Sequence, residues 1–384
     1  MKTSTGGLLA TALHDHHRAL GAKLVDFAGW DMPIAYAGTV GEHLAVRRAA
    51  GAFDIGHMGR IEVRGPGAGA YLRSLVTRNL ADLTPGSARY ALVCNERGTI
   101  LDDIFVYRKA AEDWLLIVNG ANRLKISAWL ERHRPAGVSV IDRTLDTGLI
   151  ALQGPRTRDV LARLAVPLPA PFRLHTFVQS TWQDRPLLIA RTGYTGEWGV
   201  EVMADQTAIA ALWEQALARG KDLGLVPVGL GARDTLRLEM GYALYGHEID
   251  ETTTPLEAAL DWVVDFGGAD FVGKAPLTAQ RERGVDRRLV GFELIDKGVP
   301  RQGHPIMAGG HAVGTVTSGN LSPTLDKGIG MGYIEAARAA VGTPIEIDIR
   351  GKRKQAVIVK PPFYTRRSSP PSPSPLAGEG RVGG

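Results

Sequence analysis

The sequence predicts an α+β protein whose last structured part is a small all-β barrel or sandwich. Strand-like and helix-like stretches alternate up to about residue 275, whereas beyond about residue 288 short strands follow one another between glycine and proline turns. The 384 residues, 44% hydrophobic and 22% charged, have ordinary globular composition with room for two or three domains. No run approaches the ~20 apolar residues that a membrane span needs. The N-terminal residues carry one charge and a short apolar patch, too weak for a secretory signal. A single cysteine, Cys94, excludes an intramolecular disulfide framework and a cysteine metal cluster. A reducing, cytoplasmic setting fits it.

The net charge of +5 is local. Lys352, Arg353, Lys354, Lys360, Arg366 and Arg367 lie in a stretch without acids, and the preceding residues are close to neutral. Charge therefore implies no broad phosphate-binding surface and no nucleic-acid partner.

Taken in order, residues near 8–20 read as a helix, with His14, His16 and His17 solvated or capping. Their spacing is not that of a helical zinc pair. A strand-like piece then leads through Trp30-Asp31-Met32-Pro33 into a loop. Glu42–Ala50 is a helix closed by Gly51. Ala52–Ile55 is a short strand ending at the glycine-flanked His57-Met58. Arg60–Arg64 alternates as a strand, and a helix follows around 67–76. Arg89–Tyr107 reads as a hairpin turning at Asn95–Gly98. Asp102 and Asp103 fall in its second strand, so their side chains are expected on opposite faces. Trp114–Asn119 is a strand and Asn122–His133 a helix. Leu149–Gln153 is a strand before an arginine-bearing helix. Leu187–Met203 is a strand pair joined by a glycine-rich loop, and 207–219 a helix.

Gly229-Leu230-Gly231 is a tight turn feeding a helix from about Ala232, with Leu236, Met240 and Leu244 on one face. A threonine-rich loop, a helix and Trp262 follow, then a break near 275–288. Five short strands begin at Leu289, Val313, Gly330, Ile345 and Gln355. The tail from Ser368 is of low complexity and is expected to be disordered.

Arg233 sits in the first turn of its helix, where partial positive charge already resides. A guanidinium there needs an anion, from the chain or from a ligand. Glu201 lies between Val200 and Val202 in a strand, where an unpaired carboxylate costs several kcal/mol. Glu201 and Arg233 can pair with each other. Alternatively, Glu201 accepts two parallel hydrogen bonds from a flat donor pair such as an aminopyrimidine edge. Asp103, with Tyr90, Asn119 and Tyr194 nearby by pattern, belongs to the same set. The loop Gly193–Gly199 lacks the Gly-Lys-Ser/Thr ending of a phosphate loop, no Gly-x-Ser-x-Gly elbow is present, and no metal site is expected. Cys94 reads as a half-buried strand residue rather than a nucleophile.

Ordered blocks now carry a resemblance: Val25-Asp26-Phe27-Ala28-Gly29-Trp30, Phe53-Asp54-Ile55-Gly56-His57-Met58-Gly59, Ile100-Leu101-Asp102-Asp103, Leu152-Gln153-Gly154-Pro155, Arg191-Thr192-Gly193-Tyr194-Thr195-Gly196-Glu197, Gly229 to Glu239, Leu244 to Glu251 and Thr317 to Leu325. From about Leu20 to Arg367 the chain resembles aminomethyltransferase, the T-protein of the glycine cleavage system. The resemblance implies a three-domain cloverleaf around a central cavity: two interleaved α/β domains, the first ferredoxin-like, and a C-terminal β barrel. The expected division is 1–50 with 140–228, 51–139 with 229–275, and 285–367, followed by the tail 368–384.

The resemblance further implies a reaction. The aminomethyl group on the lipoyl sulfur of H-protein passes to tetrahydrofolate, giving 5,10-methylene-tetrahydrofolate, ammonia and dihydrolipoyl H-protein. Carried over by motif, Asp103 resembles the family's essential acid beside the folate nitrogens and Glu201 its pterin-reading carboxylate. Arg233 resembles the ligand-site arginine, and Met58, Tyr90, Asn119 and Tyr194 resemble cavity-lining residues. Three positions depart from the family pattern: Thr99 replaces a turn glycine, Gly56 stands where serine is common, and Trp198 where an acid is common. Folate-binding assembly helpers for iron–sulfur enzymes share this scaffold, but they carry a cysteine in the glycine-rich block, where this chain has Thr192–Glu197. Folate domains of sarcosine-oxidising enzymes add a flavin domain for which this chain has neither length nor motif.

Overall fold

The computed structural model describes residues 7–366; Arg367 and the tail 368–384, expected to be disordered, lie outside the described residues. Two sheets and one barrel carry the fold. The first sheet runs Phe177–Trp182, Arg185–Ala190, Gly199–Asp205, Thr147–Gln153, Ala50–Asp54, Leu225–Val228. It is antiparallel except for its last pair. The second is antiparallel throughout: Ser87–Cys94, Ile100–Arg108, Asp113–Val118, Gly59–Arg64, Ser139–Asp142. The barrel closes six strands, with Arg287–Leu294 paired to both Lys327–Glu335 and Lys352–Val359.

One hydrophobic core joins the two sheets. Phe53, Ala151 and Leu188 from the first meet Ala88, Tyr107, Leu115 and Ile117 from the second. Each sheet's other face is covered by helices: Thr157–Arg163 and Gln206–Gly220 on the first, Ala68–Leu75 and Arg123–His133 on the second. Strands buried on both faces explain the near-continuous apolar runs Leu149–Leu152 and Trp114–Val118.

The helix Leu230–Glu239 sits where all three parts meet. Ala232 and Leu236 enter the core between the sheets, and Leu238 packs on Ile329 and Met331 of the barrel. The fully buried Leu236 would cost about 2–5 kcal/mol if cut to alanine. Glycine at the helix start is required by space. A Cβ on Gly229 would lie 2.4 Å from the Ile34 backbone, and one on Gly231 2.6 Å from Thr39 Oγ1. Glu42 seals this end: its carboxylate accepts from the backbone N–H groups of Tyr36, Ala37, Gly38 and Gly229 at 2.7–3.0 Å. An anion at a helix N-terminus is favourable, but Glu42 serves backbone groups, and among the described residues Arg233 is left without a carboxylate.

Several elements differ from expectation. The first helix is only His14–Ala19, because Leu9 pairs instead with the hairpin Lys23–Phe27/Trp30–Ala35. None of the three histidines caps the helix and only His16 is partly exposed: His17 is fully buried on Asp54 at 2.8 Å, His14 meets Asp31 at 2.8 Å and His16 meets the exposed Glu214 at 2.8 Å. The central helix stops at Glu239, where Gly241 takes a positive φ of 66°, so Leu244 lies beyond it. Residues 251–260 form turns around Pro255 rather than a helix, and only a short 3₁₀ turn, Asp261–Val263, follows. The expected break at 275–288 holds the helix Lys274–Arg283, anchored by Leu277 and Gln280. The barrel contains a sixth strand, Pro305–Ala308. Cys94 is fully buried, and desolvation pushes its thiol up to about 12.

Candidate functional site

All seven predicted residues, Met58, Tyr90, Asp103, Asn119, Tyr194, Glu201 and Arg233, are partly exposed although most stand in or beside buried strands. They form two linked groups. Arg233, from the first turn of the central helix, lies under the Tyr194 ring, with its guanidinium carbon 4.8 Å from the ring centre. Its Nη2 is 3.9 Å from Met58 Sδ. No carboxylate oxygen comes within 4.0 Å of it among the described residues. Burial depresses its pKa, and the field of Glu201 opposes the shift. The direct Arg233–Glu201 ion pair allowed by the sequence is therefore absent, though the two feel each other's charge.

Glu201, in the strand Gly199–Asp205, takes one hydrogen bond, from Thr192 Oγ1 to Oε2 at 2.5 Å. Burial raises its pKa, against Thr192 and Arg233, which lower it. A carboxylate with one donor and remaining acceptor capacity, partly open, is set to receive further N–H groups. Tyr194 is fixed by its hydroxyl, which donates to the Ala243 carbonyl. Its loop is anchored by Gln153, which donates to the Thr192 and Val200 carbonyls and accepts from Thr195. Glu197 ties the loop's far side to Arg47 at 3.1 Å and to the Tyr364 hydroxyl at 3.1 Å. Trp198 is accommodated beneath Arg158 and Arg191, whose guanidinium carbons lie 4.6 and 4.7 Å from its ring centre.

The second group centres on Asp103. Tyr90 donates to its Oδ2 at 3.1 Å and Asn119 Nδ2 to its Oδ1 at 2.7 Å. The opposite-face expectation for Asp102 does not hold as a separation. The same Asn119 nitrogen lies 2.8 Å from Asp102 Oδ1, and Asn122 Nδ2 lies 2.6 Å from it. The neighbouring strand ends at Val118, so Asn119, next in register opposite Asp103, is free to span both carboxylates. Tyr194 and Tyr90 fall within electrostatic range of each other and of Asp103, which links the two groups.

Sequence reasoning missed Asp102, Asn122, Thr192 and His57. His57 is 5% exposed and its Nδ1 has no partner. Desolvation and Arg233 lower its pKa to about 3, so it is neutral beside the guanidinium. Its ring meets Phe27 edge-on at 5.2 Å. A Cβ on Gly120 would stand 3.1 Å from the ring, so the turn carrying Asn119 rests directly on His57. Trp262, 60% exposed, stacks on Tyr90 at 6.1 Å. Two hollows in the protein hold none of the seven residues. One, of about 20 Å³ beside Thr11 and Asp54, has room for about one water. The other is an open cleft of about 410 Å³ between the barrel and residues 247–253. Among the described residues no cluster of His, Cys, Asp or Glu could hold a metal ion.

The Asp102–Asp103 pair fixes a pH dependence. Burial raises both carboxyl groups above the ordinary range, and repulsion from Asp103 raises Asp102 further. The folded state thus holds a proton that the unfolded chain has lost. The stability this gives is full below about pH 4, the ordinary carboxylate value, and is lost as pH rises through the raised folded range. Asp103→Asn is expected to flatten the fall in stability above about pH 4. Urea midpoints of both proteins against pH check this, and identical slopes would contradict it. Comparison of the two proteins cancels the opposite trend from His57, whose depressed pKa adds stability as pH rises.

The chain as a whole is similar to known proteins. Residues 13–268 match the family model described as GCVT N-terminal domain, and residues 287–365 match that of the glycine cleavage T-protein C-terminal barrel domain. An aminomethyltransferase of Symbiobacterium thermophilum is 45% identical over 366 residues, spanning 93% of this chain and 97% of that one. One from Bdellovibrio bacteriovorus is 44% identical over 358 residues, spanning 93% and 99%. The crystal structure of glycine cleavage system aminomethyltransferase T from Bartonella henselae superposes with a TM-score of 0.88 at 36% identity, covering 94% of this chain and 99% of that one.

Proposed function

The chain belongs to the aminomethyltransferase family of glycine cleavage T-proteins, and from that premise we propose that Glu201, Arg233 and Asp103 together receive tetrahydrofolate. The aminomethyl group would arrive on the lipoyl arm of H-protein. The products would be 5,10-methylene-tetrahydrofolate, ammonia and dihydrolipoyl H-protein. The observation that carries this reading is the absence, among the described residues, of an ion-pair partner for either Glu201 or Arg233, both partly open and both inside the protein. Leaving two such groups uncompensated is costly unless a ligand completes them.

The residues fit the ligand chemically. Glu201 has acceptor capacity for the two parallel N–H groups of an aminopyrimidine edge. Arg233 offers donors to a pterin oxygen or nitrogen, and its charge opposes the rise that burial gives the Glu201 carboxyl. Tyr90 and Tyr194 would supply aromatic walls, with Asn119 beside Asp103 and Met58 beside Arg233. The bound cofactor would supply the nucleophilic nitrogens. Asp103, oriented by Tyr90 and Asn119, would lie beside them, where it can hold a proton and stabilise positive charge as the one-carbon unit moves. The iron–sulfur assembly-helper reading is not favoured: the relatives named above are transferases, and the glycine-rich block here has no cysteine.

Ammonia and methylene-tetrahydrofolate production from aminomethylated H-protein, with and without tetrahydrofolate, tests the function; no ammonia in either case would overturn it. Glu201→Ala is expected to weaken tetrahydrofolate binding by roughly tenfold to a hundredfold, the range for a lost charged hydrogen bond. Calorimetric titration reads this, and wild-type affinity in the variant would remove Glu201 from pterin recognition.

A further inference from the structure

Asp102 is fully buried within the strand Ile100–Arg108. Apart from Asp103, every polar group that meets its carboxylate is a donor. Asn122 Nδ2 and Asn119 Nδ2 lie 2.6 and 2.8 Å from Oδ1, and the backbone N–H of Asn119 reaches Oδ2 at 3.1 Å. A carboxylic acid at this position would point its O–H at donors. Asp103 differs. Its side chain is partly exposed, it takes two side-chain hydrogen bonds, and its Oδ2 is shared only with the Tyr90 hydroxyl.

Two carboxylates bridged by one amide nitrogen cannot both stay charged in such surroundings without a cation. No lysine, arginine or histidine pairs with either among the described residues. The titratable groups that face the pair are Tyr90 from the strand Ser87–Cys94, Tyr194 from the glycine-rich loop and Tyr245 from the segment after the central helix. Burial raises the pKa of all three, so all are neutral near pH 7.

We propose that Asp102 is a positioning residue: held ionised by its three donors, it keeps a single proton on Asp103, so that Asp103 meets the ligand as an acid rather than as a second anion. Asp102 itself touches no ligand and exchanges no proton. The asymmetry belongs to the ligand-free protein. Only its use in transfer rests on the tetrahydrofolate reading above.

Infrared spectroscopy of the ligand-free protein tests it, since a buried carboxylic acid has a carbonyl stretch distinct from that of a carboxylate. Wild type near neutral pH is expected to show one such band. Asp103→Asn removes it. Asp102→Asn also removes it at neutral pH, because the charge that held the proton there is gone; burial still keeps Asp103 above the ordinary carboxylate range, and the band returns on acidification. A band that survives Asp103→Asn puts the proton on Asp102 and overturns the proposal, as does one that survives Asp102→Asn at neutral pH.

Should Asp102→Asn fail to fold, Asn122→Ala keeps both carboxylates and removes one donor. Asp102 stays ionised on both sides of the titration, so the pH midpoint of the band is expected to stay where it is. A midpoint that rises by about one unit puts the proton on Asp102 and overturns the proposal. In the transfer assay, Asp102→Asn should move the Asp103-dependent limb of the kcat profile to lower pH with KM for tetrahydrofolate unchanged; a purely structural role would leave the limb in place. Because the infrared bands need no ligand, failure of tetrahydrofolate to bind would count against the ligand reading and not against the pair.

Discussion

An Arg237→Met variant is expected to melt well below the wild type, whereas Arg233→Met, four residues earlier on the same helix, is not. Arg237 is 1% exposed and bonded to Glu248 at 2.8 Å, Asp234 at 2.7 Å and Ser318 Oγ at 2.6 Å. Glu248 is itself fully buried, so removing the guanidinium strands an anion between the central helix and the barrel. Breaking a buried pair from one side costs about 3–5 kcal/mol, the largest stability effect in this network. Among the described residues Arg233 has no such partner to strand. Methionine fills much of the same volume, removes an uncompensated buried cation, and should leave the melting temperature equal or higher. The same change should abolish measurable tetrahydrofolate binding. Differential scanning calorimetry of the two variants decides this, and equal losses of stability would mean that Arg233 is a structural residue.

Asp103→Asn is expected to lower turnover by about 10²–10⁴-fold, the range for a positioned acid or base. Fold and tetrahydrofolate affinity should stay close to wild type. Asparagine keeps the shape and can still accept from Tyr90 or Asn119, so the local framework survives. What it cannot do is hold an exchangeable proton. The separation of kcat from binding is the informative part: a variant that loses affinity but turns over normally once saturated would make Asp103 a binding group only. Unchanged turnover would remove it from the mechanism.

Much of this was legible in the chain because the informative residues violate local rules. A cation in the first turn of a helix and a carboxylate between two valines in a strand are anomalies that need no structure to see. The barrel strands announced themselves by alternation between glycine turns. The helix Lys274–Arg283 did not. Pro276 in its first turn and a largely polar sequence hide its periodicity, although proline is tolerated there. The histidines near the start could not be read either: His17 finds Asp54 and His16 finds Glu214 across 37 and 198 residues, and no local pattern encodes such pairing. Asp102 was hidden by the alternation rule itself. The rule sends neighbouring strand residues to opposite faces, but the adjacent strand ends one residue too soon to cover them, and Asn119 gathers both.

The central claim is that this chain leaves Glu201 and Arg233 for a folate to complete. Thermal denaturation of the wild type and of the Glu201→Gln/Arg233→Met double variant, each with and without tetrahydrofolate, tests it most directly. At a ligand concentration near 100 times Kd the wild type should gain about 2.7 kcal/mol of stability. The double variant should start at least as stable and gain nothing. A double variant stabilised by tetrahydrofolate as much as the wild type would contradict the claim.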